Sequence, residues 1–193
     1  MNTDNTIYGT AMNPHDPSRC TSGSSGGEGG LVSTKCSPLG LGTDIGGSIR
    51  SPAAFCGAYG FKPTPYRTSY LGCIVPADDH HLPQIKIDPS MGPLAASVND
   101  IKTMTDVLFR AFETDSKVAP LPFNNLTYQA LTTKNAAKKL RIGYFDTLPL
   151  FESSQSVKRA IKIAKEKLEA EGCTLVPFKI SYEENLALKK AHT

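Results

Sequence analysis

Tryptophan is missing from this 193-residue chain, and aromatic residues make up only 8% of it. Stacking platforms for nucleobases are therefore scarce. A dominant charge is missing too. The net charge is +3, and no basic run exceeds two or three residues, so neither nucleic acid nor an anionic membrane surface is indicated as a partner. No apolar run approaches the ~20 residues that span a bilayer. The opening residues, MNTDNTIYGT, are polar and have no signal-peptide character. Paired-cysteine spacing is also absent. Cys20, Cys36, Cys56, Cys73 and Cys173 are odd in number and contain no C-x-x-C, which fits free thiols in a reducing compartment better than a disulfide framework or a zinc site. The expectation is a soluble, intracellular chain without a metal. Hydrophobic residues at 39% and charged residues at 20% place it among globular proteins.

What is present is concentrated in GSSGGEGGLVSTKCSPLGLGTDIGGSIRSPAAFCGAYGFKPT, residues 23–64. Two serine-glycine turns, Gly23-Ser24-Ser25-Gly26-Gly27 and Gly46-Gly47-Ser48, lie a short helix and a short strand apart. Glycines beside a serine allow close backbone approach and leave N–H groups available to a developing charge. A flexible linker is the plain alternative for a Gly/Ser run, but the second turn sits in a patterned apolar segment. No lysine follows these glycines in Walker register. Gly23 to Gly27 does match the G-x-S-x-G nucleophile elbow, yet that elbow needs a preceding strand, and Pro14 to Ser22 is polar and proline-containing. Ser48 suits a nucleophile better. It follows Asp44-Ile45-Gly46-Gly47 and is expected to open a helix, where the N–H groups of Ile45, Gly46, Gly47 and Ser48 converge. The plain alternative is that Ser48 is only a helix cap. His15, His80, His81 and His192 form no convincing Ser-His-Asp set, and Asp78-Asp79-His80-His81 reads as a solvated charge cluster.

Around this segment the pattern is mixed. A polar loop with a short strand at Ile7-Tyr8 is expected first, then a helix over 26–35 opened by Ser24 or Ser25. A strand follows at Leu39–Gly42, a turn at Asp44–Gly47, a helix from Ser48 with Pro52 in its first turn, and extended chain at Phe61–Thr64. Residues 65–93 read as loop. An amphipathic helix spans 97–112, with Ser97 and Asp100 as a capping box and Ile101, Met104, Leu108 and Phe112 on one face. After a proline-containing connector at 113–138, a βαβ unit runs from about 140 to 178. Its helix over 154–171 shows Val157, Ile161, Ala164 and Leu168 at helical spacing. A helix-like run, 183–191, follows. A crossover of this kind implies a parallel or mixed sheet covered by helices.

With GSSGGE, LGLGTDIGGSIRSPAAFCG and GFKPT in one segment, the chain resembles the amidase signature family. Glu28, Ser37 to Gly42 and Phe55-Cys56-Gly57 bring it nearest the fatty acid amide hydrolase branch. The resemblance implies an α/β fold, a mixed twisted sheet flanked by helices, incomplete in this chain and treated as one partial amidase domain over 1–193. It implies Ser48 as acyl-enzyme nucleophile, Ser24 on a cis peptide bond as proton relay, and Ser25 as supporting serine. It further implies Ile45, Gly46, Gly47 and Ser48 as oxyanion-hole backbone, with Asp44 and Arg50 bracing the turn. No cofactor is implied. The partner is a small-molecule amide, lipid-like in that branch, and membrane contact would come only through segments outside these residues. The family's catalytic lysine precedes the first serine, whereas this chain has no lysine before Lys35. The chain alone is therefore expected to be inactive and, because it holds only part of the implied sheet and so leaves apolar faces and strand edges open, to fold poorly or associate as a homo-oligomer. Two alternatives stand beside amide hydrolysis of lipids: a non-catalytic short isoform that binds or regulates, and an amidase for small amides or glutamine.

Overall fold

The computed structural model describes residues 2–73, 87–133, 136 and 140–192. The chain divides into two compact units, Met1–Phe123 and Asn124–Thr193.

The first unit opens with two small antiparallel pairs, β1 (Asp4–Asn5) with β2 (Gly9–Thr10) and β3 (Met12–Asn13) with β4 (Asp16–Cys20). The expected strand at Ile7-Tyr8 is instead the exposed turn between β1 and β2. Asn5 Oδ1 accepts the N–H groups of both residues, at 3.0 and 2.8 Å, an Asx turn that competes successfully with the β propensity of Ile and Tyr.

Helix α1 (Gly26–Ser33) then packs on strand β5 (Leu39–Asp44), followed by α2 (Arg50–Cys56), β6 (Tyr59–Gly60) and β7 (Ser90–Ala95). The sheet order is β5-β7-β6, antiparallel throughout, with Gly42 opposite Gly92 and Asp44 opposite Ser90. Strand β7 falls at the end of the stretch read as loop. Its sequence, SMGPLA, lacks alternation because five of its six residues are buried, and a strand covered on both faces has no polar side to show. The alternating glycines of β5 have a packing reason. A Cβ on Gly40 would lie 2.5 Å from Glu28 Oε2, and one on Gly42 would lie 2.5 Å from Ser25 Oγ and 2.9 Å from Ser25 Cβ. At Gly42, where the Cβ of Ser25 itself would be met, glycine is what lets α1 sit this close. Val32, Ile49, Ala53 and Leu94 form the core beneath, with Ala58 against it.

Helix α3 (Val98–Leu108) has the expected cap in altered form. Ser97 Oγ accepts the Asp100 N–H at 3.2 Å, while the Ser97 hydroxyl donates to Asp100 Oδ2 at 2.7 Å. Helical order changes to 3-10 at Ala111–Glu113, so Phe112 lies beyond α3.

The second unit begins with α4 (Asn125–Thr132), capped by Asn124, whose Oδ1 accepts the Thr127 N–H at 2.9 Å. This helix lies within the stretch read as connector. Strands β8 (Arg141–Tyr144) and β9 (Thr174–Pro177) are parallel and joined by α5 (Gln155–Ala170), the βαβ unit read from the sequence. Helix α6 (Tyr182–His192) follows. Beyond the strand ends, Phe145 and Phe178 meet edge to face at 5.2 Å and help line a cavity of about 330 Å³ with Tyr144, Pro149 and Pro177. Among the described residues no helix is long and apolar enough to cross a membrane.

Candidate active site

The two serine-glycine turns meet. The Ser25 N–H donates to the Ser48 carbonyl at 3.0 Å, although the residues lie 23 positions apart in the chain. The first turn carries a cis peptide bond between Gly23 and Ser24, preceded by Ser22 at φ 64. Thr3 holds it from outside. Its hydroxyl lies 2.9 Å from the Ser22 carbonyl and 3.1 Å from that of Ser24, and it accepts the Gly26 N–H at 2.9 Å. Ser24 is exposed, and its side chain makes no hydrogen bond among the described residues. Ser25 occupies the N-cap position of α1 without making a side-chain cap bond. Its hydroxyl instead faces the Thr43 carbonyl at 3.5 Å, so neither Ser24 nor Ser25 caps the helix by the hydrogen bond expected of it.

The second turn is organised by Asp44 at the end of β5. Its side chain is fully buried and surrounded by donors. Oδ1 accepts the Gly47 N–H at 2.7 Å and Arg50 Nη2 at 2.9 Å. Oδ2 accepts the Ile49 N–H at 3.1 Å, the Arg50 N–H at 3.2 Å and Arg50 Nε at 3.0 Å. Burial alone would raise the pKa of this carboxyl. The guanidinium and the N–H groups of Gly47, Arg50 and Ile49 outweigh that and hold it well below the ordinary carboxylate range. Asp44 in turn raises the pKa of Arg50, chiefly by accepting its hydrogen bonds.

Two features of the turn follow from this. The helix starts at Arg50, with Ile49 at its N-cap position, rather than at Ser48. Asp44 takes the N–H groups of Ile49 and Arg50 from outside the helix, the task a local cap residue usually performs. In addition, the Gly47 N–H donates to Asp44 Oδ1. The donor has gone to the buried carboxylate because an unpaired charge there would be costly. Gly47 itself adopts φ +125, a conformation that side chains disfavour. The N–H groups of Ile45 and Gly46 meet no partner among the described residues. Ser48 is buried at 7% exposure.

Thr3, Asn13 and Lys62 have no role assigned to them by the sequence. Asn13 Nδ2 donates to the Phe55 carbonyl at 2.8 Å, and His15 Nε2 lies 3.1 Å from that of Cys56. These side chains close the C-terminal end of α2 from about 40 residues away in the chain, and no local pattern announces such a contact. Lys62 Nζ donates to Ser90 Oγ at 3.2 Å and to the Pro63 carbonyl at 3.3 Å. Its place in GFKPT was the available signal. The Asp78 to His81 cluster lies outside the described residues. The five cysteines are unpaired, and among the described residues no three His, Cys, Asp or Glu side chains group as metal ligands.

The family model described as Amidase matches residues 1–190. Fatty-acid amide hydrolase 1 of Sus scrofa is 40% identical over 176 residues, covering 90% of this chain and 29% of that protein. An acetamidase of Aspergillus oryzae is 34% identical over 178 residues, covering 91% of this chain and 32% of its own length. A solved structure of a fatty acid amide hydrolase superposes with a TM-score of 0.83 at 28% identity, covering 99% of this chain and 32% of that one. A bacterial aryl acylamidase gives a TM-score of 0.74 at 26% identity, covering 91% and 34%. The chain thus spans about a third of the length of these relatives.

Proposed function

This chain belongs to the amidase family, and from that premise we propose that the protein hydrolyses carboxylic amides through Ser48. The observation that carries the reading is the Ser25-to-Ser48 backbone hydrogen bond, which holds two serine turns together as a shared site requires. In the proposed reaction Ser48 Oγ attacks the amide carbonyl carbon. Its proton passes to Ser24 Oγ, while the Ser24 proton passes to a lysine amine. The carbonyl oxygen becomes an oxyanion, and the available N–H groups of Ile45 and Gly46 suit it, with Gly47 serving as part of the brace. Collapse breaks the C–N bond, and the amine leaves with a proton returned through Ser24. Water then attacks the Ser48 ester and releases the acid. Asp44 and Arg50 act by fixing the turn rather than by touching substrate.

We further infer a lipid-like acyl group in the substrate. The Sus scrofa relative is a fatty-acid amide hydrolase, and Glu28, Ser37 to Gly42 and Phe55 to Gly57 carry the pattern of that branch. The test uses the native full-length protein. It should label with a fluorophosphonate and cleave a long-chain acyl amide faster than acetamide or glutamine, and Ser48→Ala should abolish both labelling and turnover. Retained turnover in Ser48→Ala would reject the mechanism. A preference for acetamide or glutamine would reject the lipid assignment alone.

A further inference from the structure

We infer that Lys62 is a positioning residue for the proposed reaction, supplying fixed positive charge behind the Asp44-to-Ser48 turn. This rests on the Ser48 reading and extends it to a residue that the mechanism above does not use. Lys62 Nζ donates to Ser90 Oγ at 3.2 Å and to the Pro63 carbonyl at 3.3 Å. Ser90 is 1% exposed and stands directly opposite Asp44 in the β5–β7 ladder. Directly opposed residues share a sheet face, with Cβ atoms about 4.5–5.5 Å apart. The Lys62 ammonium is therefore one small side chain removed from the carboxylate that organises the turn. The adjoining chain is also fixed, because the Phe61 N–H donates to the Pro93 carbonyl at 3.0 Å.

A buried carboxylate directly below an oxyanion turn opposes the negative charge that develops there. Arg50 cancels that charge through two hydrogen bonds, leaving the pair neutral overall. Lys62, itself half-buried, adds a further positive charge held against the buried Ser90 hydroxyl. The group is already in place before reaction, so its contribution to the transition state needs no reorganisation.

The experiment compares Lys62→Gln and Lys62→Arg in the native full-length protein, with Ser48→Ala alongside. Glutamine keeps a donor for Ser90 and removes the charge, while arginine keeps the charge. Lys62→Gln should lower kcat about tenfold with KM and melting temperature unchanged, and Lys62→Arg should restore most of the rate. Wild-type kcat in Lys62→Gln would overturn the inference. So would an equal loss in both variants accompanied by a lower melting temperature, which would make Lys62 a structural strut. If Ser48→Ala keeps its turnover, the Ser48 reading itself fails. If Ser48→Ala is inactive while Lys62→Gln runs at full speed, only the Lys62 inference fails.

Discussion

At the scale of single residues the site depends most heavily on Asp44. One carboxylate accepts five hydrogen bonds and thereby sets the turn, the start of α2 and the orientation of Arg50. Asp44→Asn replaces an all-acceptor group with one that is half donor, so at least one N–H loses its partner. The expected cost is about 1–3 kcal/mol of stability at neutral pH, measured by denaturant unfolding. The pH dependence has a definite sign. The folded-state pKa is depressed, so the unfolded chain binds the proton first as pH falls. The stabilisation is complete above about pH 4 and declines progressively below it. The stability difference between wild type and Asp44→Asn should therefore narrow below about pH 4, and a difference independent of pH would contradict the brace. Residues of this kind were legible because Asp44, Gly47, Ser48 and Arg50 lie close together in one motif. Thr3 was not. A lone threonine in a polar N-terminal stretch carries no local sign that it will hold a turn 19 to 21 residues away.

At the scale of elements, the contact between α1 and β5 positions the first serine turn. Gly42 is a point of close approach, and an added Cβ would meet Ser25 Oγ, Ser25 Cβ and Ile49 Cγ1 at 2.5, 2.9 and 3.0 Å. Gly42→Ala should therefore push α1 off the strand, lowering stability by about 1–3 kcal/mol and, under the proposed mechanism, reducing turnover by displacing Ser25. Gly143→Ala in β8 is the matched control, because its Cβ would meet nothing closer than 3.8 Å. It should leave thermal stability nearly unchanged. Equal effects from the two substitutions would remove packing as the explanation. Elements with a free polar face were legible from periodicity: α3, α5 and the β8–β9 pair all lie where the pattern placed them. Strand β7 was not, because a buried strand containing Gly92 and Pro93 shows neither alternation nor strong β propensity. Its pairing with β5 joins residues about 50 positions apart, which no local window can register. Helix α4 was hidden by Pro120 and Pro122 just before it, although its cap at Asn124 is an ordinary start signal.

At the scale of the whole molecule, the described residues of the second unit bury less than those of the first. The first centres on Val32, Ile49, Ala53 and Leu94 with Ala58 beside them, and Cys56, Ala95, Phe109 and Val118 are buried as well. In the second, a two-stranded parallel pair is covered by α5, which has no buried residue, and Val157 and Ile163 remain 47% and 46% exposed. Parallel strands are ordinarily covered on both faces, and an isolated pair of strands is marginal in water. The relatives that share this architecture are about three times as long. The 193-residue polypeptide produced alone should therefore associate, giving a light-scattering mass above that of a monomer and a broad thermal transition. Its chemistry should be limited as well. No lysine precedes Lys35, so the proposed relay through Ser24 has no amine to receive its proton from the N-terminal side, and an unactivated serine is a weak nucleophile. Amide turnover by this polypeptide is expected to be undetectable even though the Asp44-to-Ser48 turn is intact. A sharply melting monomer would show that the two units suffice for folding. Turnover lost in Ser48→Ala would show that another group deprotonates the serine, and the relay, rather than the nucleophile, would then have to be reassigned.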